Sequence, residues 1–211
     1  MPTLMLLCSA VLPCAAAPEA TAVDAGWILQ KLARPAPTRT AFVELRGSPM
    51  LKAPLRVEGE YRRPDAATLV REVRSPYAET TTLRDGQATI ARAGKAPRTF
   101  SLSRVPELAG LQASFGALLS GDRQALQARY RLSTRGTRQG WSLQLLPIDA
   151  QMKGAVRDIT LYGRGAELRC IETRPLKGDL QRTLMAGAAS EAGTASSAAA
   201  LAELCHAGNA H

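Results

Sequence analysis

Residues 55–62 read LRVEGEYR and alternate without a break between two kinds of side chain. The odd-numbered positions are apolar, aromatic or small, and the even-numbered positions are all charged. A strand with one buried side and one solvent-facing side requires this period of two. The stretch therefore predicts a half-buried β-strand with its odd-numbered residues on the core side.

Similar strand-like segments precede and follow this stretch in the sequence. Short segments rich in Val, Leu and Thr alternate with turn residues, which is the signal of strands and hairpins. The predicted strands are Thr40–Arg46, Leu55–Arg62, Thr68–Val73, Glu79–Leu83, Gln87–Arg92, Thr99–Ser103, Ala128–Thr134, Trp141–Leu146, Val156–Leu161, Glu167–Thr173 and a last one near Leu180–Met185. About ten strands, two helices and no β-α-β alternation predict a mainly β (α+β) fold. The expected architecture is a curved antiparallel sheet or unclosed β-barrel with helices against one face.

Two helices accompany the predicted strands. Asp24 is expected to cap a short helix that ends near Ala33. Pro106 occupies the favoured first position of a second helix, which Gly121 ends. Apolar side chains lie at helical spacing along the second helix, at Leu108, Leu111, Phe115, Leu118 and Leu119. Such a stripe predicts one buried helix face.

The apolar stripe of the second helix has two interpretations. Most often such a face simply packs into the core. The functional alternative is a lid over an apolar concavity of the sheet, able to shift when an acyl chain enters. An unfilled apolar cavity is costly, so a lid that fills it when empty makes physical sense.

The N-terminal residues 1–17 read MPTLMLLCSAVLPCAAA. A short apolar run ending in Ala15-Ala16-Ala17 predicts a secretory signal peptide, although no Lys or Arg precedes the run. An ordinary apolar N-terminus is the alternative. The run is too short, and too broken by Pro13, to span a bilayer.

The C-terminal end differs in composition from the rest. Residues 186–200 consist of Ala, Gly, Ser and Thr with one Glu, which is typical of a low-complexity linker. The expected organisation is a leader at 1–17, one domain at 18–186 and a flexible tail at 187–211. A brief helix is expected within the tail at Ala198–His206.

Two cysteines, Cys170 and Cys205, remain behind the predicted leader. An oxidising compartment permits a disulfide between them. The 34 residues that separate them would make it worth a few kcal/mol in the loop-entropy model. The sequence leaves the pairing open, and the tail is expected to be mobile unless Cys205 pins it.

The side chains offer little for catalysis. The two histidines, His206 and His211, both lie in the predicted tail. No cluster of Cys, His, Asp or Glu has metal-ligand spacing, and no glycine-rich phosphate loop is present. We therefore expect no enzymatic activity, no metal and no cofactor.

The net charge of +9 is carried largely by arginines spread over several strands, with the densest group at residues 123–138. Nucleic acid is one partner class for such charge. Export and the lack of aromatic residues among the arginines argue against it. An anionic lipid head group or a membrane surface is more compatible. A merely soluble basic surface is the remaining alternative.

Several short motifs follow one another in a recognisable order. They are Phe42-Val43-Glu44, Pro54-Leu55, Gly59-Glu60-Tyr61, Arg63-Pro64-Asp65, Arg84-Asp85-Gly86, Leu118-Leu119-Ser120-Gly121-Asp122, Gly140-Trp141-Ser142-Leu143, Pro147-Ile148-Asp149 and Ile159-Thr160-Leu161-Tyr162-Gly163. With this order and spacing, the chain resembles the LolA-like family of periplasmic outer-membrane lipoprotein carriers over about Asp24 to Met185. It looks most similar to the divergent branch found near aryl-polyene and acyltransferase genes.

The resemblance implies an unclosed barrel with a helical lid over an apolar concavity, and the transport of acyl chains across the periplasm. It implies no catalytic residue and no cofactor. The ligand-binding residues expected for the cavity and lid are Val43, Leu45, Leu55, Val57, Leu69, Val73, Leu83, Leu111, Phe115, Leu118, Trp141, Leu143 and Leu145. The expected partners are an acylated cargo, an inner-membrane donor and an outer-membrane acceptor, with transient contact to the membrane surface. The protein itself is expected to be a monomer.

The chain also departs from the family pattern. Aromatics make up only 4% of the residues, and the long Ala/Ser tail is unusual. A glycolipid or an aryl-polyene lipid is therefore as plausible a cargo as a lipoprotein. The alternative function is an envelope interaction or structural module, which binds a protein through its sheet edge or basic face and has a packed core without a cavity.

Overall fold

The computed structural model describes residues 22–46, 54–104 and 116–208. Eleven strands form one antiparallel sheet in these ranges. They are β1 (Thr38–Arg46), β2 (Leu55–Arg63), β3 (Leu69–Ser75), β4 (Glu79–Arg84), β5 (Gln87–Arg92), β6 (Lys95–Ser101), β7 (Tyr130–Thr137), β8 (Gly140–Pro147), β9 (Val156–Arg164), β10 (Glu167–Pro175) and β11 (Gln181–Met185). The predicted leader and the apolar residues Leu108, Leu111 and Phe115 lie outside the described residues.

The strand order is β6-β5-β4-β3-β2-β1-β11-β10-β9-β8-β7. The last strand, β11, pairs with the first, β1, and so joins two meanders into one sheet. The sheet is not closed, because β6 and β7 each have one neighbour. The predicted antiparallel, unclosed fold class is confirmed.

Short helices connect and cover the strands. They are α1 (Ala25–Leu32), α2 (Arg123–Gln127), α3 (Ala150–Ala155), α4 (Ala186–Glu191) and α5 (Ala198–His206), with a 3₁₀ turn at Leu102–Arg104. Residues 116–120 are also helical. None of the helices in the described ranges is long and apolar enough to cross a membrane.

The predicted start of α1 is confirmed. The Asp24 carboxylate accepts a hydrogen bond from the backbone N–H of Trp27 at 3.0 Å, which satisfies one of the donors exposed at a helix start. Ile28, Leu29 and Leu32 are buried on one side of the helix.

The predicted end of the second helix at Gly121 is also confirmed. Gly121 has a φ of +73°, the left-handed conformation that glycine adopts readily. Its N–H donates to the carbonyl of Leu118, and the N–H of Asp122 donates to the carbonyl of Ala117. This pair of bonds is the Schellman motif, which terminates helices.

The sheet has two faces that are covered by different helices. The inner face is the one on which α1, α2, α3 and the helical segment 116–120 pack, and it holds the larger apolar core. The outer face is covered by α4 and α5 over strands β1, β11 and β10. On each strand, alternate residues therefore belong to different surroundings.

The inner core is organised around Trp141, which is fully buried. Its indole N–H donates to the carbonyl of Gly165 at 3.0 Å. Its ring covers Gly163, the residue directly opposite on β9. A Cβ at Gly163 would lie 2.1 Å from the Trp141 ring. The absence of a side chain at Gly163 thus makes room for the largest residue of the core.

The C-terminal residues form helices on the outer face, and the expectation of a flexible tail at 187–211 is wrong for the part described. Helix α5 spans the predicted Ala198–His206. Small residues of α4 approach the sheet closely, and Leu201 and Cys205 of α5 are buried beside Cys170. The guanidinium of Arg56 on β2 donates to the carbonyls of Gly193 and Ala195 in the connection between the two helices.

The pairing that the sequence left open is present, because Cys170 on β10 and Cys205 on α5 form a disulfide. Both cysteines are at most 1% exposed. The bond closes a loop with a sequence separation of 35 and ties α5 to the middle of the sheet.

We predict that Gly163→Ala destabilises the protein by about 1–3 kcal/mol, since the methyl group and the Trp141 ring compete for one space. The measurement is the free energy of unfolding in urea, followed by circular dichroism. Gly154→Ala in α3 is the matched control. Nothing lies within 4 Å of a Cβ at Gly154, so this change should be neutral or stabilising by up to about 1 kcal/mol. Equal effects of the two changes would contradict the packing assigned to Trp141.

We predict that replacing both cysteines by serine lowers the free energy of unfolding by about 3–4 kcal/mol, because the unfolded chain regains the entropy of the closed loop. Thermal unfolding of the wild type with and without a reducing agent provides the comparison. The double variant should not respond to the reducing agent. A wild type whose unfolding is equally insensitive would argue against the bond.

Candidate functional site

A cavity of about 150 Å³ lies between the inner face of the sheet and the helical segment 116–120. Strands β1, β2, β3, β10 and β11 form its floor, and α1 closes one side. Its apolar lining consists of Leu32, Leu69, Leu118, Leu119, Ala166, Leu168, Met185 and Ala186. Its polar lining consists of Arg34, Thr38, Thr40, Tyr61, Arg62, Arg63 and Glu167. The cavity is therefore an apolar space with a polar margin.

Arg63 holds the helical segment 116–120 against α1. This arginine ends β2 and is only 8% exposed. Its Nη1 donates to the carbonyl of Arg34 at 3.0 Å and, at 3.5 Å, to that of Leu119. The carbonyl of Leu119 also accepts from the backbone N–H of Arg34 at 3.1 Å. These bonds connect β2, the end of α1 and the end of the segment that covers the cavity.

Two of the predicted ligand-binding residues line this cavity. Leu69 contributes from the start of β3, and Leu118 contributes from the helical segment. Leu118 is 4% exposed and also packs with the inner core. These two residues belong to the parts of the sequence interpreted as cavity wall and lid.

Other predicted residues lie on the inner face without lining the cavity. Val57, Val73, Trp141, Leu143 and Leu145 are buried members of the main core, and Leu55 packs against it. Leu83 belongs to a small separate cluster with Ala88 and Leu102. These side chains belong to the apolar clusters of the inner face and not to the cavity lining.

The assignment of Val43 and Leu45 to the cavity is wrong. Val43 lies on the outer face in a cluster with Leu184 and Cys170, and Leu45 packs against that cluster. The neighbouring Phe42 faces the inner core instead. Because β1 is apolar on both sides, its sequence does not show which side faces the cavity. The predicted lid residues Leu111 and Phe115 lie outside the described residues.

The sequence interpretation missed several residues that line the cavity. Leu168 and Met185 come from β10 and β11, for which the sequence predicts no cavity-facing side. Leu32 lies in the short first helix, for which the sequence predicts no role in the site. The sequence does indicate Leu119 as a lining residue, because it follows Leu118 in the apolar stripe of the second helix. No pattern in the sequence marks Arg63 as a link between helices.

A charged group lies on the inner face beside the cavity. Glu44 of β1 is 9% exposed and accepts hydrogen bonds from two arginines. Arg71 Nη2 lies 2.5 Å and Arg46 Nε 2.7 Å from Glu44 Oε1. The Arg71 guanidinium also lies over the ring of Phe42, 4.6 Å from its centre.

Tyr61 connects this charged group to the cavity. It lines the cavity and lies directly opposite Arg71 in the pairing of β2 with β3. Burial raises the pKa of the Tyr61 hydroxyl above its usual value, while the positive charge of Arg71 opposes that rise. The ring of Tyr61 also packs on Phe42, with 4.9 Å between ring centres.

A second polar group lies on the outer face beneath α5. Glu172 is 6% exposed and is paired with Arg182 and with His206. The hydroxyl of Tyr162 donates to Glu172 at 3.3 Å. Burial, followed by the nearby Glu172 charge, raises the pKa of Tyr162 to about 12. His206 thus binds α5 to the sheet instead of lying in a loose tail.

Glu172, Cys205 and His206 form the one group in the described part of the chain whose ligand atoms approach metal-site spacing, within 4.8 Å of one another. The sulfur of Cys205 is bonded to Cys170 and is not a thiolate. The carboxylate of Glu172 is already held by Arg182. The arrangement is accounted for by the docking of α5.

The family comparison covers nearly the whole chain. The model of the family described as "Outer membrane lipoprotein carrier protein LolA-like" matches residues 15–208. No protein in the curated set shows significant similarity to the chain.

The solved structures that match the chain are remote in sequence and in structure. The LolA superfamily protein NE2245 from Nitrosomonas europaea is 13% identical, with 78% of this chain and 92% of that chain covered and a TM-score of 0.39. LprF from Mycobacterium bovis is also 13% identical, with 77% and 91% covered and a TM-score of 0.33. The assignment therefore rests on the family match. The chain belongs to the LolA-like family of outer membrane lipoprotein carrier proteins.

Proposed function

We propose that this protein is a non-catalytic carrier that takes an acyl chain of a lipoprotein or lipid into the cavity of the inner face and conveys it toward the outer membrane. The observation that carries this proposal is the apolar cavity between the sheet and the helical segment 116–120. Membership of a lipoprotein-carrier family supports the same class of function.

The size of the cavity favours a carrier that opens. An apolar cavity of about 150 Å³ holds a ligand the size of benzene, whereas sites for larger ligands occupy roughly 300–1,000 Å³. An acyl chain must therefore displace part of the wall. The helical segment 116–120 is the part of the wall that we expect to move. Its end is held by hydrogen bonds to the carbonyl of Leu119, and such bonds can break and form again.

The free energy gained by burying an acyl chain is large enough to break the hydrogen bonds that hold the segment. Each hydrogen bond that holds the segment contributes roughly 0.5–1.5 kcal/mol. Each methylene of an acyl chain contributes roughly 0.8 kcal/mol on burial. Burying about four methylenes therefore offsets the loss of two such bonds. The remaining methylenes supply the affinity, and reclosure of the segment assists release.

The alternative function, an interaction or structural module of the envelope, needs no internal cavity. The cavity and the link through Arg63 therefore favour the carrier. We place the protein in the periplasm, since its family carries outer membrane lipoproteins and the disulfide fits an oxidising compartment. Donor and acceptor partners at the two membranes belong to the same proposal.

We predict that Leu69→Trp weakens the binding of a fluorescent monoacylglycerol at least tenfold, because the indole fills the space that the acyl chain needs. Binding is measured by titrating the probe into the purified protein and following its fluorescence. Lipids extracted from protein purified out of the native periplasm are identified in parallel by mass spectrometry.

Leu176→Trp is the matched control, because Leu176 is 44% exposed and does not line the cavity. It should bind the probe as the wild type does. A wild type that is purified free of lipid and also refuses the probe would contradict the carrier function. Equal weakening in both variants would show that the probe binds elsewhere.

A further inference from the structure

We propose that the cargo is an anionic amphiphile, whose negatively charged group is held by Arg46 and Arg71 on the inner face while its acyl chain occupies the cavity. This inference rests on the proposed carrier function and names the class of lipid that it serves. The shared chemistry is an oxyanion next to an acyl chain, either a phosphate or a carboxylate.

The first support is the charge balance of the inner face. Two guanidinium groups share the Glu44 carboxylate, which is the one carboxylate that the described residues bring within 4.0 Å of either of them. The group therefore keeps one positive charge in excess. The nearby pair of Glu79 and Arg92 is neutral, so it does not cancel this excess.

The second support is the burial of the charged group. The side chains of Arg71 and Glu44 are 14% and 11% exposed, so water screens them little. A positive charge in such surroundings interacts more strongly with an anion than a surface charge does. An incoming oxyanion would neutralise the excess. A second carboxylate in the protein would have done the same, and the described residues supply none.

The third support is the reach of Arg46. Its side chain is 47% exposed. Its Nε binds Glu44, and its Nη1 lies 3.4 Å from the Tyr77 hydroxyl. A planar guanidinium has five N–H donors in a fork that matches the oxygens of a phosphate or carboxylate. The exposed guanidinium of Arg46 lies beside the buried guanidinium of Arg71, so a head group can bind from the solvent side.

The fourth support is the position of the charged group relative to the cavity. Tyr61 lines the cavity and receives a hydrogen bond from Arg71. One side chain thus separates the apolar space from the guanidinium. The two parts of an anionic amphiphile would meet the two parts of the site, with the chain in the cavity and the charge at Arg71 and Arg46.

The test compares lipids that share one acyl chain and differ in head group. The purified full chain is loaded with the fluorescent monoacylglycerol, and displacement is titrated with lysophosphatidic acid, free fatty acid and lysophosphatidylcholine of the same chain length. The anionic lipids should displace the probe at concentrations about tenfold lower than the zwitterionic lipid, since a charge-assisted hydrogen bond is worth about that factor. The arm with the greater advantage, phosphate or carboxylate, identifies the head group.

Two substitutions should move this advantage in opposite directions. Arg46→Gln removes the excess charge and should abolish most of it, while Glu44→Gln increases the excess and should enlarge it. Arg74→Gln is the matched control. Arg74 lies on the outer face of β3, is 54% exposed and pairs with Glu72, so its loss should leave the advantage unchanged. Binding of the neutral probe should stay the same in the Arg74→Gln control.

The outcomes separate this inference from the proposed function. A protein that binds the probe but shows no preference among head groups overturns the inference and leaves the carrier function intact. A protein that binds no acyl probe contradicts the carrier function itself. A head-group preference that Arg46→Gln and Arg74→Gln reduce equally would assign the effect to overall charge and would also overturn the inference.

Discussion

The burial of β1 on both faces is the constraint on which the rest of the structure depends. Phe42 packs into the inner core, while Val43 packs into the cluster beneath the C-terminal helices. A strand in this position needs a cover on each side. The inner cover closes the cavity, and the outer cover is made by α4 and α5. Pairing of β1 with β11 joins the first and last strands, so neither half of the sheet is complete alone.

The two covers differ in how firmly they are held. The outer cover is fixed by the disulfide, by Glu172 with His206, and by hydrogen bonds from Arg56. In the inner cover, the helical segment 116–120 is held by hydrogen bonds that include those to the carbonyls of Arg34 and Leu119. The proposed carrier function requires such a difference, because one face would stay closed while the other admits and releases cargo. The disulfide stabilises the face opposite the cavity.

The charged group on the inner face is unusual for a purely apolar container. Burial of Glu44 and Arg71 costs solvation free energy, and a buried ion pair is weak evidence of a gain in stability. Under the inference drawn above, binding of an anionic head group would give this cost in solvation free energy a function. It would also let a chain with few aromatic residues select its cargo, because selection through charge does not need a large aromatic lining.

The sequence by itself determined the strands, the ends of two helices and the fold class. Strict alternation in the segment around Val57 and the caps at Asp24 and Gly121 are local signals, and their geometry is set by neighbouring residues. Only the tertiary structure decided which face of β1 meets the cavity, because Phe42 and Val43 are both apolar. It also decided that the Ala-rich tail forms helices, since small side chains carry little hydrophobic signal but allow α4 to lie close to the sheet. The meeting of Arg46 and Arg71 at Glu44 joins residues distant in the chain, and only the register of the strands brings them together.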